Sequence, residues 1–405
     1  MSDRSSLKDL DFAPSVDFVT RVTTAIGEAA LELPLSLHEP YLPKQASEEV
    51  IATIESGFVS SVGPAVQEFE RKLSEFSGVK HAVSTSSGTA ALQLALKISG
   101  VGPGDDVAVP AMSFIATSNA VAFLGANPVF VDSVTLGQGS TLGMSIDSLE
   151  ELLTFYKQTP EGPINKATGS RLAAIVPMHA LGRICALASI RELAASWKVA
   201  IVEDAAEAIG SFGSDGTHSG DTDIAILSFN GNKTITTGGG GAVLTNSDRF
   251  AAAARHLSTT AKIPHPWRFS HDAIGWNFRM PALNASLGVS QMNFLPRILE
   301  AKFQLYESYR KAFSGSQFFE FLGNPIGQVP NNWLIPIKLK EPNVDLLGKV
   351  LDDASSSGIY SRPVWDLLSD QSPYEQNRAV NLKNARSIRD SIICLPSSPK
   401  LGMNL

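Results

Sequence analysis

The sequence predicts an α/β protein: a mainly parallel sheet covered by helices on both faces, followed by a small α+β domain. Three observations carry this. Short aliphatic runs alternate with helical patterns over about two hundred residues. The runs are continuously apolar rather than alternating, as in strands buried on both faces. Beyond about residue 324 a strand, a helix and a last short strand read as a small unit of their own. The expected strands are His81–Ser84, Asp106–Pro110, Pro128–Asp132, Ala173–Pro177 and Ala200–Glu203. The expected helices are Ala65–Ser77, Thr89–Ile98, Ala116–Leu124, Ile146–Tyr156 and Leu187–Trp197. Ile224–Phe229 and Gly241–Thr245 flank a glycine-rich turn and read as a hairpin at the sheet's edge. A long helical region runs from about Phe250 to Phe313. The tail holds a strand at Trp333–Leu339, a helix at Asp345–Ser357 and a last strand at Ser391–Leu395. The chain thus divides into an N-terminal arm (1–34), a large α/β domain (35–255), a linking helical region (256–323) and a small α+β domain (324–405).

Composition narrows the function classes. Hydrophobic residues make up 43% of the 405-residue chain and charged residues 18%, the balance of a globular enzyme. A formal net charge of −7 argues against a general nucleic-acid binder, which needs a basic surface to displace counterions. Cys185 and Cys394 lie far apart, in no metal-ligand spacing, and read as inert thiols. His256, His265 and His271 have no cysteine partners or tight ligand spacing, so no metal site is expected. No stretch approaches the roughly twenty apolar residues that span a bilayer, and Met1–Asp11 is polar. A cytoplasmic protein without membrane insertion is the expectation.

Three constellations carry chemistry. Ser84-Thr85-Ser86-Ser87-Gly88-Thr89 follows a strand and precedes an apolar helix. A helix start offers unpaired N–H groups and a positive dipole end, so it suits an anion; it equally suits an ordinary N-cap. Glu203-Asp204-Ala205-Ala206-Glu207 places carboxylates at a strand's carboxyl end, where open α/β sheets gather ligands. Such an acid can hold a proton on a heterocyclic nitrogen, or simply be solvated. Lys233 stands beyond the strand ending at Ser228-Phe229, and Gly238 to Gly241 follow it. A strand-end lysine is ordinarily a surface residue, but one partly buried can condense with an aldehyde. Taken together, a phosphate handle, a ring-nitrogen partner and an aldehyde anchor are what pyridoxal 5'-phosphate requires.

At these motifs the chain resembles the DegT/DnrJ/EryC1/StrS family of sugar aminotransferases, from Leu35 to the C-terminus. The resemblance rests on Ser86 to Leu92, Pro110 to Thr117, Glu203 to Glu207, Ser228 to Lys233 and Gly275 to Pro281. It implies the fold of type I pyridoxal-phosphate transferases, with a seven-stranded type of sheet. It also implies the roles. Lys233 would anchor the cofactor and shuttle the proton, and Asp204 would pair with the ring nitrogen. Phe114 would stack on the ring, and Glu207 would lie near its phenolic oxygen, where many members carry Gln or His. Ser87, Gly88, Thr89 and Ser228 would hold the phosphate. Asn277 would reach the phosphate of a neighbouring subunit, which implies a homodimer with shared sites.

The subgroup making legionaminic-acid-type sugars is most similar, through Asn230 to Lys233 and Arg362 to Trp365. It implies L-glutamate as amino donor and a UDP-linked 2-acetamido-4-keto-6-deoxy hexose as acceptor, for surface glycans. A GDP-linked 4-keto sugar, as in perosamine synthases, stays open. His179, Arg279 and Arg362 are the candidates for meeting the substrates' carboxylate or diphosphate. A dehydratase of the same fold would carry histidine in place of Lys233, and a non-catalytic regulator would show a broken site.

Overall fold

The computed structural model describes residues 12–27, 31–214, 216 and 222–403. The chain enters through helices α1 (Ala13–Ile26), α2 (Lys44–Glu55) and α3 (Pro64–Ser77). Then β1 (His81–Thr85), α4 (Gly88–Ile98), β2 (Asp106–Pro110), α5 (Ala116–Ala122) and β3 (Asn127–Val131) alternate. After α6 (Ile146–Leu153) comes a hairpin, β4 (Tyr156–Thr159) with β5 (Gly162–Asn165). Next are β6 (Leu172–Ile175), α7 (Leu187–Trp197), β7 (Ala200–Ile201), β8 (Glu203–Asp204), β9 (Ala225–Ser228) and β10 (Gly241–Thr245).

β7 and β8 are successive segments of one strand, interrupted at Val202, whose N–H donates to Ile175 O. Through them the ladders β3-β2-β6-β7 and β8-β9-β10-β1 join into one seven-stranded sheet. All neighbours pair parallel except at β10, which is antiparallel to both β9 and β1. The mainly parallel sheet is therefore as expected, but the hairpin is not at the edge. β10 is inserted between β9 and β1, and the helix-free connection from β9 (229–240) returns it antiparallel to both. β9 and β10 are wholly buried, and so is most of α4, which explains why that helix is apolar almost all round.

The expected helical region 250–313 is two helices, α8 (Asp248–Ser258) and α9 (Ala282–Ala312), separated by an irregular segment. Ser247 caps α8, its Oγ accepting the Phe250 N–H at 3.3 Å. The expected helix reaching Tyr156 stops at Leu153, and Tyr156 opens the hairpin β4–β5 instead. Beyond α9 the small domain comprises β11 (Phe319–Phe321), β12 (Ile335–Leu339), α10 (Val344–Ser356), β13 (Arg362–Pro363), α11 (Lys383–Arg389), β14 (Ile392–Leu395) and α12 (Pro399–Met403). Its antiparallel sheet runs β11-β12-β14-β13.

Two cores result, and α9 belongs to both. Leu295 and Ile298 pack into the large-domain core, while Leu305 and Tyr309 enter the second. The region expected as a separate arm joins that second core. Phe18, Val22 and Ile26 of α1 are buried there, with the Phe18 ring edge-on to Phe313 and Phe319 at 6.2 and 5.7 Å. Helix α1 thus packs with residues of the C-terminal part although it stands at the other end of the chain.

Candidate active site

A cavity of about 950 Å³ opens at the carboxyl ends of β1, β8 and β9, where ligands of open α/β sheets gather. Its floor begins at the turn between β1 and α4. Ser87 caps α4, its Oγ accepting the Ala90 N–H at 3.1 Å, which leaves the N–H groups of Gly88 and Thr89 without intrahelical acceptors. Close packing forces glycine here. A Cβ on Gly88 would stand 2.7 Å from Ser228 Cβ, and one on Gly241 would stand 2.5 Å from Ser87 O. Ser228, ending β9, sets its hydroxyl beside this helix start. A small hydroxyl, two free N–H groups and a dipole end make an anion cradle.

Asp204 ends β8, inside the cavity and almost fully buried. Thr117 Oγ1 donates to its Oδ2 at 2.9 Å and the Ala206 N–H donates to its Oδ1 at 3.2 Å. The Ser113 hydroxyl lies 2.8 Å from Thr117 Oγ1. Because Thr117 spends its hydrogen on Asp204, Ser113 donates to Thr117. Burial pushes the Asp204 carboxyl above its ordinary range, opposed by those two hydrogen bonds and by the Lys233 and His179 charges. A cationic N–H in the cavity would meet a carboxylate already oriented for it.

Lys233 stands in the β9–β10 connection. Its Nζ lies 3.1 Å from Glu207 Oε1 and 4.0 Å from the centre of the Trp333 ring. Glu207 is buried, and its other oxygen accepts the Leu181 N–H at 2.9 Å. Burial pushes the Glu207 carboxyl up, against the Lys233 charge and the Leu181 N–H. The Glu207 carboxylate is thus paired directly with the Lys233 ammonium inside the cavity. Trp333 is itself fixed by two hydrogen bonds, one of them to an asparagine that is tied in turn to Glu207. Its Nε1–H donates to Asn232 O at 2.7 Å, its backbone N–H donates to Asn331 Oδ1 at 2.9 Å, and Asn331 Nδ2 donates to Glu207 O at 2.7 Å.

The structure brings Ser87, Gly88, Thr89, Phe114, Asp204, Glu207, Ser228, Lys233 and Arg362 onto this one cavity. Phe114 is half exposed, its ring free to cover a flat ligand. Asn277 and Arg279 lie outside the cavity wall. They run beside the β1–α4 turn, where Ser86 N–H donates to Phe278 O and Thr85 bridges Arg279. The Arg279 guanidinium bonds weakly to Asn277 Oδ1, at 3.2 Å from Nη2. His179, expected at the substrate, is fully buried and does not line the cavity, although its backbone N–H donates to Asp204 O at 3.1 Å. Its Nδ1 accepts the Cys185 N–H at 3.2 Å and its Nε2–H donates to Glu203 Oε1 at 3.0 Å. It braces the strand that carries Asp204 rather than meeting a substrate. Among the residues that sequence reasoning missed are Thr117, quoted within a motif but given no role, and Trp333, read only as the start of a strand.

Residues 40–404 match the model of the DegT/DnrJ/EryC1/StrS aminotransferase family. The chain belongs to this family. It is 33% identical to a GDP-perosamine synthase of Caulobacter vibrioides, over 90% of this chain and 93% of that protein. A second GDP-perosamine synthase, from Vibrio cholerae, is 31% identical over 91% of this chain and 95% of its own length. The crystal structure of the aminotransferase TlmJ from Streptoalloteichus hindustanus superposes with a TM-score of 0.79 at 27% identity, covering 89% of this chain and 93% of that one. The protein is accordingly a pyridoxal-phosphate-dependent sugar aminotransferase, with the type I fold of that enzyme group. The particular likeness to legionaminic-acid enzymes is not what these relatives show; their names point to perosamine and to a guanosine carrier. Among the described residues, no helix is long and apolar enough to cross a membrane.

Proposed function

We propose that this chain moves an amino group from L-glutamate to C4 of a 4-keto-6-deoxy sugar carried on a nucleoside diphosphate. The observation that carries the reading is the convergence of Lys233, Asp204 and the α4 start on one cavity, with Lys233 Nζ 3.1 Å from Glu207. The residues fit pyridoxal phosphate: an anion cradle that any Cβ would fill, a buried carboxylate with a free lone pair, and an amine within the same walls. Bound there, the cofactor supplies an electron sink and a temporary carrier for the amino group.

The protein's own part is positioning and proton movement. Gly88, Thr89, Ser87 and Ser228 hold the phosphate, and Phe114 covers one ring face. Asp204, steadied by Thr117 and the Ala206 N–H, keeps a proton on the ring nitrogen. Lys233 Nζ would hold the cofactor through its aldehyde and, when free, would be the amine that takes up and returns one proton in each half-reaction. Glu207 and the Trp333 face receive the lysine whenever it is released. Arg362, exposed on the cavity rim, meets substrate anions; Arg279, beside Asn277 and outside its own cavity, would do so only at the cavity of a second copy. Asn277, beside but outside its own cavity, serves the phosphate of a second copy, so the active unit is a homodimer. The guanosine carrier has the names of the relatives behind it; the uridine carrier has the motif at Arg362 to Trp365.

The test is an absorption spectrum of the protein loaded with pyridoxal phosphate, followed by glutamate and then by GDP- or UDP-linked 4-keto sugar. Glutamate should bleach the visible band, and one nucleotide sugar should restore it, with an aminated product by mass. Lys233→Ala should lack the lysine-bound band. A band that glutamate leaves untouched, or that neither sugar restores, rejects the donor or the acceptor respectively.

A further inference from the structure

One buried amide has no part in the scheme above, although it touches each segment that meets at the lysine. Asn331 is 2% exposed and does not line the cavity. Its Nδ2 donates to Glu207 O at 2.7 Å, to Ile209 O at 2.9 Å and, more weakly, to Thr234 Oγ1 at 3.2 Å. Its Oδ1 accepts the Trp333 N–H at 2.9 Å. Glu207 supplies the carboxylate beside Lys233 Nζ, Thr234 directly follows the lysine, and Trp333 offers the ring face on which Nζ rests. A single amide group therefore ties acid, amine loop and ring to one another.

The surroundings allow this amide one orientation. Turned over, it would set its oxygen against the carbonyls of Glu207 and Ile209 and its NH2 against the Trp333 N–H, and those contacts would repel. Space is left for it as well: a Cβ on Gly182, whose φ is +84°, would stand 2.0 Å from Asn331 Oδ1. Asn332 follows at a φ of 52°, a left-handed turn that asparagine tolerates, and Trp333 comes directly after. The segment leading to the amide is laid along the large domain. Gln328 exchanges two hydrogen bonds with the Ile184 backbone at 2.8 and 3.1 Å, Val329 exchanges two with Phe212 at 2.9 Å, and Asn331 N–H donates to Ser211 Oγ at 3.0 Å. A buried polar network with every member paired is rigid, and it holds what it touches to one geometry.

We propose that Asn331 is a positioning residue for Lys233: its amide holds Glu207 and the Trp333 ring where the free amine has one resting place between proton transfers. Leucine in its place would supply neither hydrogens nor an acceptor, and the acid and the ring would lose their common tie. Both half-reactions use the same lysine, so losing the amide slows both, whereas a residue that meets glutamate or the sugar affects one. That kinetic part rests on the sugar aminotransferase reading above; the hold on the amine does not.

The amine can be read without cofactor or substrate. Cofactor-free wild type, Asn331→Leu, Asn331→Ser and Phe18→Ala are treated with a trace of acetic anhydride at one pH, below the melting of each. Acetylation of Lys233 is measured by peptide mass spectrometry against the exposed lysines of the same sample. Leucine keeps the volume and removes every bond; serine is too short to reach the carbonyls and adds no bulk. Phe18→Ala weakens the second core and serves as the control for lost stability alone. Both Asn331 variants should acetylate at Lys233 roughly three- to tenfold faster, the worth of one neutral hydrogen bond, and Phe18→Ala should match wild type. In the loaded protein both Asn331 variants should lower kcat in each half-reaction, with KM for glutamate and for the nucleotide sugar unmoved. Unchanged acetylation in the Asn331 variants, an equal rise in Phe18→Ala, or a change confined to one substrate's KM would each overturn the proposal. A wild type that completes neither half-reaction while the acetylation pattern holds would reject the aminotransferase reading and leave the hold of Asn331 on the lysine standing.

Discussion

Gly241 offers the sharpest test of how the phosphate cradle is built. A Cβ at this position would lie 2.5 Å from Ser87 O, 2.6 Å from Ser87 C and 2.7 Å from Gly88 N. All three are backbone atoms, so no side chain can swing away. Relief requires β10 and the start of α4 to separate by most of an ångström. β10 is held antiparallel by both neighbours, so the helix start is the part that yields. Overpacking of this kind costs about 1–3 kcal/mol. If it falls on the N–H groups that grip the phosphate, the cofactor's Kd rises roughly five- to hundredfold. Gly239 is the internal control: a Cβ there meets nothing within 4 Å, and its φ needs no glycine. Cofactor titration and melting of Gly241→Ala and Gly239→Ala would be run side by side. Gly239→Ala should match wild type in melting, and Gly241→Ala should bind cofactor weakly. A Gly241→Ala protein with unchanged melting and unchanged Kd would refute the close approach of strand and helix on which the cradle depends.

Asp204→Asn should abolish most transaminase turnover yet not weaken the cofactor-free protein near neutral pH. Asp204 has a raised folded pKa, so its stabilising contribution exists at low pH and is lost as pH rises through that value; the variant's advantage over wild type in cofactor-free melting should grow as pH climbs out of the acid range. The hydroxyls of Ser113 and Thr117 can reverse their hydrogen bond to suit the amide, and a constant difference across pH would refute the raised pKa. Trp333→Phe should keep a ring over Lys233 while losing the bond to Asn232 O, so it should retain more activity than Trp333→Ala; equal loss in both would mean that the bond, not the ring face, is what counts. Phe18→Ala should cost about 3–5 kcal/mol, seen as an early unfolding transition, because the side chain is fully buried between Phe313 and Phe319. An unshifted melting curve would return α1 to the status of a detachable arm.

Much of the site was legible because local chemistry and strand ends coincide. Ser87-Gly88-Thr89 before an apolar helix, Asp204 at the end of an aliphatic strand, and Lys233 before a glycine run each follow from short-range patterns. In a parallel sheet, those strand ends necessarily point the same way, so the order of motifs already implied one cavity. What pattern could not supply was burial and partner. His179 and Arg362 are alike in sequence terms, each a basic residue near a strand, yet one is sealed against Glu203 and the other stands at the cavity rim. Trp333 and Asn331 are contributed by a segment remote from the motifs, and their roles exist only through contacts with Lys233 and Glu207.

The placement of β10 and of α1 makes the same point at the level of the fold. Strand-forming residues at 241–245 were evident, but whether that strand lay at an edge depended on β1 pairing with it across 160 residues of chain. The residues of α1 read only as part of an N-terminal arm, yet the helix packs into a core formed largely by residues beyond 300. Sequence by itself determined the fold class, the cofactor's three attachment chemistries and the order of the elements, because these arise from hydrogen bonds and apolar periodicities a few residues long. Tertiary structure alone decided which polar groups are sealed, which face the cavity and which lysine is held by which acid. Those outcomes depend on desolvation, and desolvation is set by neighbours that the linear chain does not place next to one another.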